Sequence, residues 1–258
     1  MEIIAETLSK AHEQAIQAIL EDGPEQRIET EPGKFMLTWE LPEPLLIIVK
    51  HPQQEPQASK ALGFGPGFIN QYKKDLLTIK RDREAGKDFE YTYADRLFDY
   101  PLLVGDNSPQ SYHYSGNGDG NGTDQIQRLI DKLCDSPQTR RALAITWVPL
   151  LDISSVEPPC LQFVHFMLRK GVPANEEDPQ QLYLSMLATF RSHDILSGWG
   201  ANTLALLGLQ GYVADKLTRR LNEFIYVGKL ATLSSSAHIY CEAQSSDLRE
   251  FKKVLRIS

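Results

Sequence analysis

The chain has 258 residues, 41% of them apolar, which suffices for one large domain with a real core. Its net charge of −7 and isoelectric point near 5.4 argue against bulk nucleic-acid binding or a basic membrane patch. An anionic ligand would need a local cluster of arginines, because the global field opposes it.

The first residues, Met1 to Glu6, are acidic and lack the basic and apolar regions of a secretion signal. Ile3 to Leu20 carries apolar residues at helical spacing until Asp22-Gly23-Pro24 stops it. Phe35–Trp39 and Leu45–Val49 read as strands separated by prolines, and His51 to Gly67 as loop. Phe68 to Ile79 fits a short helix.

The stretch 108–124, rich in Gly and Asn, predicts a flexible surface loop within a single domain spanning 1–258. Asn117, Asp119, Asn121 and Gly122 imitate the start of a calcium loop, but Arg128 stands where a bidentate Glu is needed. No metal is expected. Thr123 or Asp124 then caps a helix over Gln125–Leu133, whose stripe is Ile126, Leu129, Ile130 and Leu133.

Ala142–Val148, Leu161–Leu168 and Gln181–Leu187 are strand-like runs, and Ala201–Leu217 is a strongly apolar helix. Ala231–Tyr240 reads as a strand and Ser246–Val254 as a last helix. Strands and helices do not alternate strictly, so the expected class is α+β with a large mixed sheet. No apolar run approaches the roughly eighteen residues that a membrane span needs. Three cysteines (Cys134, Cys160 and Cys241) cannot all pair and show no metal spacing, which predicts reduced thiols and a cytoplasmic protein.

Cys160, in Pro158-Pro159-Cys160-Leu161, is the candidate nucleophile. Around it in the sequence stand Arg140-Arg141, Arg191-Ser192-His193-Asp194, Asn202 and Ser236-Ala237-His238-Ile239-Tyr240. A thiol, three arginines, one uncharged amide and a His-x-Tyr pair suit a pyrimidine nucleotide. Guanidinium forks match phosphate oxygens, and an amide can donate to one base edge group while accepting from the next. Asn202 has an alternative reading as the N-cap of the helix that follows it.

In order and spacing these elements resemble the thymidylate synthase family from about Tyr91 to Tyr240, and most closely its shorter archaeal-type branch. The resemblance implies a fold whose sheet face forms a homodimer interface. It implies reductive methylation of dUMP to dTMP, with 5,10-methylenetetrahydrofolate as co-substrate. Cys160 would then be the thiolate that adds to the uracil ring, a role that needs a thiol ionised well below its usual pKa of about 8.5.

By the same resemblance Arg191 and Ser192 hold the phosphate, and Arg140 and Arg141 reach it from the partner subunit. Asn202 reads uracil and stabilises the enolate, while His238 and Tyr240 bind the ribose hydroxyl. Tyr93 joins the proton-handling water network, and Asp194 and Gly198 lie where nucleotide and folate are contacted.

The chain departs from the family in several places. Leu161 follows the nucleophile where the bacterial branch has His, and Gly200-Ala201 replaces a Pro-Phe before Asn202. The general-base glutamate is not placed, Glu55 and Glu90 matching by rough position only. The short tail after Tyr240 predicts that folate is closed off differently. Three alternatives follow: a pyrimidine-nucleotide hydroxymethylase, a non-catalytic nucleotide-binding homologue, and a thiol hydrolase pairing Cys160 with His165 or His238.

Overall fold

The computed structural model describes residues 1–31, 33–59, 92–104, 113–116, 120–171 and 181–241, and 67, 70, 71, 74, 76–79, 248, 249, 252 and 253. Glu90, part of Phe68–Ile79, nearly half of the 108–124 stretch and most of Ser246–Val254 lie outside the described residues.

The described strands form two larger sheets and a separate hairpin. The larger has six strands in the order β1 (Glu2–Ala5), β4 (Leu45–Val49), β11 (Ile225–Ser234), β9 (Leu182–Phe190), β8 (Leu161–Lys170) and β7 (Leu143–Ile145). β1–β4 and β9–β11 pair in parallel and the rest antiparallel, so the sheet is mixed as expected. The smaller sheet runs β10 (His193–Asp194), β12 (Ala237–Tyr240), β3 (Lys34–Glu40) and β2 (Glu25–Glu31). A separate hairpin joins β5 (Leu102–Val104) to β6 (His113–Ser115).

Parallel neighbours cannot be joined by a tight turn. The crossover from β9 to β11 is α5 (Trp199–Leu221), which covers one face of the large sheet. It is flanked by α1 (Leu8–Asp22) and α3 (Gln125–Asp135). Alternation fixes which strand residues meet these helices: Leu161, Val164, Phe166 and Leu168 of β8, and Leu184, Met186, Ala188 and Phe190 of β9, are buried. Each such Leu contributes about 1.5–3 kcal/mol. A one-residue slip would turn this whole set away from the core.

Several elements depart from the sequence reading, four of them instructively. Ile3–Ala5 belongs to β1, and α1 starts only at Leu8, where the Thr7 hydroxyl accepts from Lys10 N–H. β2 was not anticipated, because its sequence Glu-Gln-Arg-Ile-Glu-Thr-Glu has no apolar alternation. It is an edge strand, where charge discourages further pairing. The expected Ala142–Val148 strand shortens to β7, since Pro149 opens the short helix α4 (Pro149–Asp152) and the Asp152 carboxylate takes the Val148 N–H. The Ala231–Tyr240 strand is two strands in different sheets, broken at Ser235-Ser236.

Candidate active site

That break builds the site. β9 and β11 run in parallel, so Phe190 and Ser234 finish side by side, and antiparallel β8 begins there with Leu161 opposite Phe190. Cys160, Arg191 and Ser235 therefore stand on adjacent strand ends, although far apart in sequence. Backbone bonds close the junction: Arg191 N–H to Cys160 O at 2.8 Å, Ser235 N–H to Phe190 O at 2.9 Å, and His193 N–H to Ser236 O at 2.8 Å. The chain then steps into β10 and β12, which pair with Asp194 opposite His238.

Cys160 is half-buried. The Arg191 side chain wraps the segment before it, donating Nε–H to Pro159 O at 3.0 Å and Nη2–H to Pro158 O at 2.7 Å. Tyr93 opens α2 (Tyr93–Phe98), whose Thr92–Asp95 capping box fixes its start. A buried Arg96–Asp152 pair at 2.8 Å ties α2 to α4. The Tyr93 hydroxyl oxygen accepts the Leu161 N–H at 3.3 Å, which places the phenol against the Cys160–Leu161 segment.

Electrostatics do not pre-ionise this thiol. Burial pushes the Cys160 pKa up, and the nearby Arg191 charge only opposes that rise. Activation, expected from the sequence as a depressed pKa, is thus not supplied by the described residues of one chain. Tyr93 is pushed up to about 12, by burial first and by negative charge on Cys160 second, so it keeps its proton. Alkylation of free protein by iodoacetamide, read at the Cys160 peptide, should therefore quicken about tenfold per pH unit above neutrality. A rate already level at pH 7 would show a thiolate and overturn this.

Asp194, Gly198 and Asn202 follow on two successive turns. Asp194 Oδ1 accepts the Leu196 and Ser197 N–H groups at 3.1 and 3.2 Å, and Asp194 O accepts Gly198 N–H at 3.1 Å. Gly198 is the N-cap of α5, and a Cβ there would stand 3.0 Å from Asp194 O. Asn202 lies inside the first turn, with its N–H on Gly198 O at 2.9 Å. The N-cap alternative for Asn202 is thereby excluded. Its side-chain Nδ2 stands 3.1 Å from His193 Nε2, whose other nitrogen is 3.0 Å from Ser234 Oγ.

His238 is 4% exposed, and its Nε2 has no hydrogen-bond partner among the described residues. Burial lowers its pKa, with Asp194 and Glu40 pulling the other way. Tyr240, edge-on to His238 at 5.0 Å, is pushed up by burial and by Asp194 and Cys160. Cys160, Tyr93, Arg191, Asp194, His238 and Tyr240 are thus one electrostatic neighbourhood. Ser192 lies half-buried beside Arg191 in the turn between β9 and β10.

Arg140 and Arg141 stand elsewhere. Both are exposed, in an open depression they line with Arg128 and Lys132. Ala142 O accepts Phe166 N–H, which puts the pair six residues down β8, about 20 Å from Cys160. His165 sits on β8 with its Nε2 on Arg140 O at 3.1 Å, and among the described residues no imidazole bonds the Cys160 sulfur. That leaves the thiol hydrolase reading without its base. Glu55 accepts the Gln57 N–H within its own loop. The side chains that sequence reading passed over are His193 and Ser234.

Fold and site together define an α+β protein whose mixed sheet ends in a half-buried thiol beside a guanidinium. Comparison with known proteins makes the assignment finer. The chain belongs to the thymidylate synthase family, whose model matches residues 79–253. Relatives carrying provisional thymidylate synthase names come from methanogenic archaea. The protein of Methanosarcina barkeri is 32% identical over 196 residues, covering 76% of this chain and 71% of the relative. That of Methanococcoides burtonii is 36% identical over 172 residues, 67% of this chain and 61% of the relative. That of Methanocaldococcus jannaschii is 28% identical over 255 residues, 95% of this chain and 93% of the relative. These are the archaeal-type relatives that the motif order resembles. Among the described residues no helix is long and apolar enough to cross a membrane.

Proposed function

We propose that this protein carries out the reductive methylation of dUMP to dTMP in the cytoplasm, as a single-domain chain acting in a homodimer. The observation that carries the reading is the meeting of the Cys160 thiol, the Arg191 guanidinium, Asp194, His238 and Tyr240 at adjacent strand ends. His238 and Tyr240 would flank the ribose hydroxyl there. Arg191 spends Nε and Nη2 on proline carbonyls, and the rest of its fork, with Ser192, would take phosphate oxygens.

The Cys160 sulfur adds to carbon 6 of the uracil, and the charge so created is carried on the carbon 4 oxygen. Asn202 donates to that oxygen. Since burial holds the free thiol protonated, its proton must leave as the nucleotide binds. Tyr93, which stays protonated, acts as a hydrogen-bond donor in the water network there.

The folate co-substrate fits the residues present. Asp194 Oδ2 carries no bond among the described residues and can accept amino N–H groups. Gly198 leaves open the space that a side chain would fill beside Asn202, and Leu150, Ile153 and Val156 expose apolar surface on the segment leading to Cys160. When bound, 5,10-methylenetetrahydrofolate supplies the one-carbon unit and the hydride.

The position of Arg140 and Arg141 supports the dimer. They cannot reach their own Cys160 across about 20 Å, whereas a second copy could present them. The large-sheet face opposite α5 carries half-buried Phe163, Met167 and Leu187, with exposed Leu143 and Ile145 at its edge.

Tritium release from carbon-5-labelled dUMP, with and without methylenetetrahydrofolate, tests the reading. Folate-dependent release with dTMP as product is the expected result, and labelled dCMP should stay inert. A hydroxymethyl product would mean that water ends the reaction. Binding without release would mean a nucleotide-binding homologue. A one-subunit mass in solution would overturn the shared site.

A further inference from the structure

We propose that His193 is a positioning residue that sets the base preference of the site by fixing which way the Asn202 amide faces. The inference rests on the uracil reading above and assigns the residue between Ser192 and Asp194, which that reading leaves without a role.

The ring has little freedom. His193 is 2% exposed and stacks on Phe190 at 3.9 Å and 22°, and its backbone is held by Ser236. Its two nitrogens stand 3.0 Å from Ser234 Oγ and 3.1 Å from Asn202 Nδ2. Burial, with the charges of His238 and His12, pushes its pKa down to about 3, so the ring is neutral and only one nitrogen carries hydrogen. An amide nitrogen is donor only. Facing Asn202 Nδ2, His193 Nε2 must accept, and Nδ1–H donates to Ser234.

This orientation matters for the base. Uracil presents an acceptor at carbon 4 next to an imide N–H donor, and cytosine presents the reverse, an amine donor next to a ring acceptor. A free amide reads either by a half-turn. With Nδ2 engaged by His193, Asn202 offers its second N–H and its carbonyl oxygen in one fixed order. Cytosine in the uracil pose then sets donor against donor and acceptor against acceptor. Turning the amide to accommodate it would also require His193 to change tautomer and Ser234 to reverse its hydroxyl. Preference therefore comes from an imidazole that never touches the base.

Titration calorimetry of dUMP and dCMP against wild type, His193→Phe and Ser234→Ala tests this. Phenylalanine keeps the stack on Phe190 and removes the acceptor. The ratio of the two affinities is expected to fall about tenfold, the scale of one hydrogen bond. Ser234→Ala keeps the ring, removes the partner that favours the Nδ1–H tautomer, and should lower the ratio about threefold. A purely structural role would weaken both nucleotides alike and leave the ratio unchanged, which would overturn the proposal. Should the phenylalanine variant not fold, Ser234→Ala decides alone. If wild type bound neither nucleotide, or preferred dCMP, the uracil reading itself would fail.

Discussion

Cys160→Ala is expected to lower folate-dependent tritium release from dUMP by at least about 10⁴-fold, the scale on which nucleophile deletions act. Affinity for dUMP should change by less than about threefold. The split follows from the geometry. Arg191 is held by the carbonyls of Pro158 and Pro159, and its backbone N–H by Cys160 O, so no side-chain atom of Cys160 positions the Arg191 guanidinium. Asn202 and His238 are anchored through β10, β12 and α5. Deletion of the sulfur removes covalent addition and leaves the cradle. Calorimetry and the tritium assay, run on one preparation, measure the two halves separately. A residual rate within tenfold of wild type would sink the covalent mechanism. It would not implicate Cys134, whose pKa is pushed up by burial and whose position is on α3, away from the strand ends.

Much of the fold was legible because burial imposes a period. β4 matches its expected range Leu45–Val49, and α3 begins at Gln125 behind an Asp124 cap whose side chain accepts the Gln127 N–H. β8 and β9 extend the expected runs by two or three residues, since their alternation continues as polar side chains reach the open face. Legibility fails where no buried face disciplines the sequence. β2 is charged along its length, and three successive serines conceal the step from β11 to β12. Locally, Ser234 to Ser236 look like more strand. Only the pairing of β11 with β9 shows where the ladder must end.

The site divides along the same line. Cys160, Arg191, Asp194, Asn202, His238 and Tyr240 could be named because their types and order carry a chemical pattern. His193 could not, because its partners are Asn202, nine positions on, and Ser234, forty-one positions on. A crossover helix intervenes, so no local spacing announces the contact. Thiol activation is not legible for a related reason. Arg140 and Arg141 stand at the other end of β8 in the same chain, and of the charges around Cys160 only Arg191 opposes the effect of burial.

The buried histidines give the second large effect. Stability against urea is expected to fall by about 4 kcal/mol between pH 7 and pH 5, roughly 2 kcal/mol from each of His12 and His193. Burial pushes His12 from 6.5 down to about 4 and His193 to about 3. In the unfolded chain both bind protons once the pH drops through about 6.5, while the folded protein still refuses them. Acid therefore favours unfolding. The contribution is fully present above 6.5 and drains away until about pH 4 for His12 and about pH 3 for His193. Burial keeps both rings neutral, and both are anchored in the structure, His12 by Ile195 O at 2.6 Å and a tilted contact with Trp199 at 5.1 Å, His193 through Asn202 and Ser234. His12→Gln should remove about half of the pH dependence, and equal urea midpoints at pH 7 and pH 5 would refute the account. Because His12 holds Ile195 at the start of the turn that leads through Gly198 to Asn202, the same protonation that unfolds the protein also releases the Asn202 amide. The acid limit of activity should accordingly track loss of the fold, measured by circular dichroism on the same samples, rather than precede it as a separate titration.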